Sequence, residues 1–255
     1  MSAPPVDPAL VEAAVAIARA AGDLTLGWFR SGSLTVEQKG DGSPVTAADR
    51  AAERFVRDEL ARRYPQDAVA GEEEVDTPGT SGRRWTVDPI DGTKAFTRGV
   101  PLFSTLLALD DEHGPAVGVI HLPALSETVY AGRGRGCFCN EAPARVSTEA
   151  SLARACLTTC GFDDWPDAML AGARASGAAL RTWGDGYGYA LVATGRVEAM
   201  VDPIIAPHDV AAMPVIMQEA GGRYSDLRGS DSITSGDAMA SNGLVHDELL
   251  ALLAP

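Results

Sequence analysis

With 255 residues, of which 45% are hydrophobic and 22% charged, the chain has the composition of a soluble globular protein long enough to bury a substantial core. Thirty-five acidic against 21 basic side chains leave a formal net charge of -14, a surface that repels nucleic acid and anionic lipid and argues against either as a partner. No apolar run approaches the roughly 18 residues of a membrane span, and residues 1–10 lack the basic-then-apolar pattern of a secretion signal, so the expected location is the cytoplasm.

Apolar residues at Leu10, Val11, Ala14, Ile17, Ala18, Ala21 and Leu24 recur at helical spacing. A helix is therefore expected over 8–30, with Asp7 as its cap and Pro8 in its first turn. A short strand over 34–38 leads into the polar loop Lys39-Gly-Asp-Gly-Ser-Pro44. The second helix begins near Thr46 and runs to about Arg63, where Pro65 stops it. A strand over 68–71 ends on three glutamates, Glu72 to Glu74, and another over 84–88 ends at a polar turn. Strands over 102–109, 116–121 and 127–130 follow, linked by tight turns, which points to a largely antiparallel sheet flanked by helices.

Beyond about Ser147 the pattern changes. Strands are expected over 156–160, 180–183 and 197–201, and helices over 167–176, 185–194, 208–220 and 244–252. This alternation belongs to layered α/β units. The fold class is α/β, with an N-terminal half over 1–147 and a C-terminal half over 148–255 forming one compact unit. Cys137, Cys139, Cys156 and Cys160 miss the spacing of zinc knuckles and read as free thiols.

The densest chemistry lies in Trp85-Thr-Val-Asp88-Pro-Ile-Asp-Gly-Thr93. An apolar strand delivers Asp88 to its end, Pro89 turns the chain, and Asp91 follows three residues on. Two carboxylates and the Ile90 carbonyl make a hard oxygen set suited to magnesium. Gly92-Thr93-Lys94 can open a helical turn whose free N–H groups donate to phosphate oxygens. Glu72, at a strand end just upstream, can reach the same sheet edge. Asp209 opens a helix far downstream, where dipole compensation is its ordinary explanation.

Three blocks, Gly71-Glu72-Glu73, Asp88-Pro-Ile-Asp-Gly-Thr93 and His208-Asp209 through Gly222, together resemble the inositol monophosphatase superfamily of magnesium-dependent, lithium-sensitive phosphatases. Thr46-Ala-Ala-Asp49 matches that family's Thr-x-x-Asp helix start. The resemblance implies an αβαβα sandwich, a homodimer, and two or three Mg2+ ions held by Glu72, Asp88, the Ile90 carbonyl, Asp91 and Asp209. It implies phosphate binding by Gly92 and Thr93, and a nucleophilic water oriented by Glu72 or by Thr93 paired with Asp49. Within the superfamily, the stretches Asp88-Pro-Ile-Asp-Gly-Thr-Lys-Ala-Phe-Thr-Arg-Gly-Val-Pro101 and Trp183-Gly-Asp-Gly-Tyr-Gly-Tyr-Ala-Leu-Val-Ala-Thr-Gly195 look most like histidinol-phosphate phosphatases of histidine biosynthesis.

A cationic substrate of that kind calls for acidic contacts, and Asp185 and Asp202 are the candidates, with His208 a third substrate-side residue. Asp185 reads equally as a helix cap and Asp202 as a turn residue; His208 stands where many relatives carry Trp and can simply pack. The sibling reading is an inositol-1-phosphate, other sugar-phosphate or nucleotide 3′-phosphate phosphatase. A reading from another class is a non-catalytic partner of the transcription machinery, which some bacterial relatives are. The complete ligand set and the lack of basic clusters weigh against that last reading.

Overall fold

The computed structural model describes residues 3–32, 35–38, 40 and 44–253. Most of the expected loop at 39–44 and the first residue of the expected strand, Leu34, lie outside the described residues. Helix α1 (Pro8–Thr25) is capped by Asp7, whose carboxylate accepts from the Ala9 amide at 3.0 Å. It is followed by β1 (Val36–Gln38), β2 (Pro44–Thr46), α2 (Ala47–Arg63) and β3 (Ala68–Gly71). Next come β4 (Arg84–Asp91), α3 (Thr93–Thr97), β5 (Ser104–Asp111), β6 (Gly114–Leu122), β7 (Glu127–Gly132), β8 (Gly136–Cys139) and β9 (Ala142–Pro143). The remaining elements are β10 (Cys156–Thr158), α4 (Asp167–Ala175), β11 (Ala179–Arg181), α5 (Asp185–Ala193), β12 (Ala199–Asp202), α6 (Pro207–Val210), α7 (Met213–Ala220), β13 (Arg223–Ser225), β14 (Ala238–Ser241) and α8 (His246–Leu253).

Seven strands in the order β3-β4-β5-β6-β7-β8-β9 form one sheet, parallel only at β3–β4. Five strands in the order β11-β10-β12-β14-β13 form the second, with β10 parallel to both its neighbours. Helices α1 and α2 pack on the outer face of the first sheet, burying Ile17, Val56 and Leu60 against Trp85 and Leu107. Helices α5 and α7 fill the space between the sheets, where Tyr189, Val192, Ile216 and Met217 meet Leu106, Ile120 and Met200. Helices α4 and α8 close the far side over Leu157 and Val201. The layers therefore run αβαβα, each apolar face covered by its neighbour.

Local chemistry explains where the elements depart from expectation. The expected helix over 208–220 is broken into α6 and α7, because Pro214 lacks the N–H that a continuous helix would need there and takes the first turn of α7 instead. Strand β4 does not end at Asp88. It continues to Asp91 through a bulge, pairing Asp88 with Leu106 and Asp91 with Ser104. Helix α1 stops at Thr25, five residues before the expected end at Arg30. Strands β8, β9, β13 and β14 are short segments between turns and carried no clear alternation in the sequence.

Candidate active site

The bulge in β4 turns its last residues into the mouth of a cavity of about 850 Å³. Glu72 enters from the end of β3, Asp88 and Asp91 from β4, and Asp209 from the first turn of α6. Ligand atoms of Asp88, Asp91 and Asp209 all lie within 4.8 Å of one another, and so do those of Glu72, Asp88 and His208. Asp88 is 1% exposed and its Oδ1 has no hydrogen-bond partner. Asp91 Oδ2 accepts from Ser104 Oγ at 2.6 Å and from the Gly186 amide at 2.5 Å, leaving its other oxygen for the cluster.

The electrostatics are severe. Burial pushes the Asp88 carboxyl well above its ordinary range, and the charges of Glu72, Asp91 and Asp209 add to the shift. Asp91 is raised likewise by burial and by Asp185 and Asp209, against the opposing bonds from Ser104 and Gly186. A buried set of carboxylates with an orphaned oxygen is unfavourable unless a cation neutralises it. The donors are oxygens, which suits a hard divalent ion such as Mg2+, and the orphaned Asp88 Oδ1 is what such an ion would satisfy. The residues present fit the ion.

Ile90 is fully buried, and its carbonyl accepts from Thr93 Oγ1 at 2.9 Å. Gly92 caps α3 at φ 83°, a left-handed conformation open to glycine. A Cβ there would also lie 3.0 Å from Asp185 Oδ2 and 3.2 Å from the Leu102 carbonyl oxygen, a tight fit on both sides. The Ala95 and Phe96 amides of α3 donate to the Gly92 carbonyl at 2.8 and 3.0 Å, which leaves the Thr93 and Lys94 amides as its first-turn donors, and Lys94 and Arg98 stand exposed beside them on the cavity rim. Asp49 sits at the start of α2, where its Oδ2 accepts from the Thr46 amide and hydroxyl at 2.8 and 2.6 Å. Asp49 and Thr93, which the resemblance pairs, are not hydrogen-bonded to each other: the Thr93 hydroxyl donates to the Ile90 carbonyl and the buried Asp49 Oδ1 is without a partner. Burial raises the Asp49 carboxyl too.

The substrate-side candidates separate. Asp185 lines the cavity at φ 56°, a strained backbone for a residue other than glycine, and its amide donates to Cys160 Sγ at 3.2 Å. His208 stands half-buried at the cluster's edge, its Nε2 3.4 Å from Asp209 Oδ1 and 4.0 Å from Glu72 Oε1. Asp202 is not brought to the cavity wall. It is 1% exposed, accepts from Tyr189 Oη at 2.7 Å, and burial lifts its carboxyl to about 6. The adjacent acids Asp163 and Asp164 line the cavity instead, together with Cys160, and no local pattern in the sequence had singled these acids out. A pair of consecutive acids just after an expected strand was the only available signal.

Comparison with known proteins supplies the context for this geometry. The profile described as "Inositol monophosphatase family" matches residues 8–255. A histidinol-phosphatase of Chlorobaculum parvum is 41% identical over 248 residues, 95% of this chain and 96% of that protein. A histidinol-phosphatase of Mycobacterium tuberculosis is 41% identical over 249 residues, 94% of this chain and 96% of that protein. Among solved structures, the extragenic suppressor protein suhB of Bartonella henselae superposes with a TM-score of 0.90 at 30% identity, covering 96% of this chain and 98% of its own.

Proposed function

The chain belongs to the inositol monophosphatase family and is a phosphoric monoester hydrolase, and on that premise we propose that it hydrolyses L-histidinol phosphate to L-histidinol and phosphate. The observation that carries the choice of ester is the polarity of the cavity. Lys94, Arg98 and the start of α3 line the cavity together with Asp163, Asp164 and Asp185, whose Oδ2 lies against Gly92. The first group suits a phosphate, and the three acids suit the ammonium and imidazole of histidinol, which a neutral polyol would not match. The 41% identity to two histidinol-phosphatases supports the same reading.

In this proposal Glu72, Asp88, Asp91, Asp209 and the Ile90 carbonyl hold Mg2+. The bound ion would polarise the phosphoryl oxygens and favour ionisation of the attacking water. Glu72 orients that water and accepts its proton, while Gly92 and Thr93 fix the phosphate through the first-turn donors of α3. Asp49, desolvated and one oxygen short of a partner, lies close enough to Glu72 for the two charges to interact. Asp185 holds the cationic end of the substrate, and Asp202 supports that wall through Cys160 and Tyr189 rather than by contact.

A panel of phosphate esters assayed with Mg2+ tests the reading. Histidinol phosphate should be turned over with the highest kcat/KM, and Asp185→Asn should raise KM for it more than for inositol-1-phosphate. Turnover of inositol-1-phosphate with none of histidinol phosphate would reject the choice of substrate and leave the phosphatase intact.

A further inference from the structure

The loop presenting Glu72 is gripped from below by a carboxylate that the reaction itself does not use. Glu53, in the middle of α2, is completely buried. Its Oε2 accepts from the Glu73 amide at 2.8 Å and its Oε1 from the Glu74 amide at 3.0 Å. Arg57, one turn further along the same helix face, donates from Nε to Glu53 Oε1 at 2.8 Å. The same guanidinium reaches the Glu74 carbonyl at 3.0 Å and Thr77 Oγ1 at 3.2 Å. Gly71 completes the fit, because a Cβ at that position would lie 2.1 Å from Glu53 Oε1.

A buried carboxylate is tolerated only when its oxygens are bonded, as these are, and an apolar side chain here would leave the Glu73 and Glu74 amides and Arg57 without this acceptor. What Glu53 adds is geometric. It clamps the backbone immediately after Glu72 while packing against the residue immediately before it, so the peptides on both sides of Glu72 are held. Asp49 lies one turn earlier on the same face of α2, so one rigid helix spaces Asp49 and Glu72 relative to each other.

We propose that Glu53 is a positioning residue that sets the Glu72 carboxylate in the metal cluster. The inference rests on the metal reading of Glu72 given above. Outer-shell partners of this kind typically change metal affinity by about 10–100-fold when removed.

The test is direct binding of Mn2+, used as the probe ion and followed by the electron paramagnetic resonance of the free aquo ion, on the full chain. Glu53→Gln should weaken Mn2+ binding about tenfold or more. Asp67→Asn, which disturbs an equally buried carboxylate bound to Arg83 and Trp85 just before β3, should leave Mn2+ binding unchanged even where it lowers Tm. Wild-type Mn2+ affinity in Glu53→Gln, or equal weakening by Asp67→Asn, overturns the positioning role. Should Glu53→Gln not fold, Arg57→Lys decides, since lysine cannot bridge Glu53, the Glu74 carbonyl and Thr77 together. Weakened binding there supports the clamp, and unchanged binding overturns it. Glu72→Gln is the reference: if it leaves Mn2+ binding intact, the metal assignment of Glu72 fails, whereas binding lost in Glu72→Gln but kept in Glu53→Gln removes only the clamp.

Discussion

The Gly186 amide donates to Asp91 Oδ2 at 2.5 Å, joining the end of a strand in the first sheet to the first turn of α5 across 95 residues of sequence. A Cβ on residue 186 would lie 2.3 Å from Ser104 Oγ and 2.8 Å from Asp91 Oδ2. Gly186→Ala should therefore push Asp91 out of the cluster. The expected result is an apparent Mg2+ affinity weaker by about 10–100-fold, measured from the metal dependence of phosphate release. An unchanged metal dependence would mean that α5 yields instead.

Asp91→Asn removes one negative charge from the centre of the cluster while keeping the acceptor for Ser104 and Gly186. Phosphatase activity should fall by about a thousandfold or more, the loss of several kcal/mol of transition-state stabilisation. The metal-free Tm should hold or rise, because Asp185 and Asp209 lose a repelling neighbour. Retained activity would sink the assignment of Asp91 as a ligand.

Metal and pH should be coupled with opposite signs in the two states of the site. Without metal, the folded chain holds protons on Asp88 and Asp91 more tightly than the unfolded chain, whose carboxyls titrate near 3.8. The pair's contribution to stability is thus fully present in acid and is lost as pH rises through the raised folded values. Excess Mg2+ binds the deprotonated form, so its stabilisation grows with pH. Tm measured from pH 5 to 8 with EDTA and with Mg2+ should give curves that separate as pH rises. Parallel curves would count against a metal on these carboxylates.

His246 offers an independent check away from the site. Its ring is fully buried between Ser225 Oγ at 2.9 Å and Ser241 Oγ at 2.8 Å, and burial holds its pKa down at about 4. The Ser225 hydroxyl donates to the Asp226 carbonyl, so the neutral ring fits by donating from Nε2 and accepting at Nδ1. The unfolded chain binds this proton from about pH 6.5 downwards and the folded chain only near 4, so stability is lost as pH falls through that window. The loss is on the order of 3 kcal/mol. Denaturant unfolding of the wild type and His246→Gln at pH 7 and pH 4.5 should show a smaller acid loss in the variant. Identical losses would place the proton elsewhere.

The cluster was legible in part because its chemistry is contiguous. Asp88, Ile90, Asp91, Gly92 and Thr93 fall within one strand end and one helix start, where turn rules and ligand preferences act on neighbouring residues. The Thr46–Asp49 helix start was legible for the same reason, since a capping box is closed within four residues. The family resemblance joined Glu72 and Asp209 to that set, and the cavity places both beside it. Local reading failed where partners are distant. The Asp202 carboxylate looked like a substrate contact and is sealed under Cys160 and Tyr189, and nothing local marked Asp163 and Asp164 as cavity wall.

By itself the sequence pointed to the reaction class, because the oxygen donors of residues 88–93 and the blocks that carry the family resemblance are read from neighbouring residues. Tertiary structure alone decided how the donors are tuned. Burial between two sheets is what raises Asp88 and Asp91, and the contacts of Gly186 with Asp91 and of Glu53 with the Glu72 loop exist only once distant segments pack. Desolvation and like-charge repulsion depend on what surrounds a carboxylate in space, and adjacency in the chain carries no record of it.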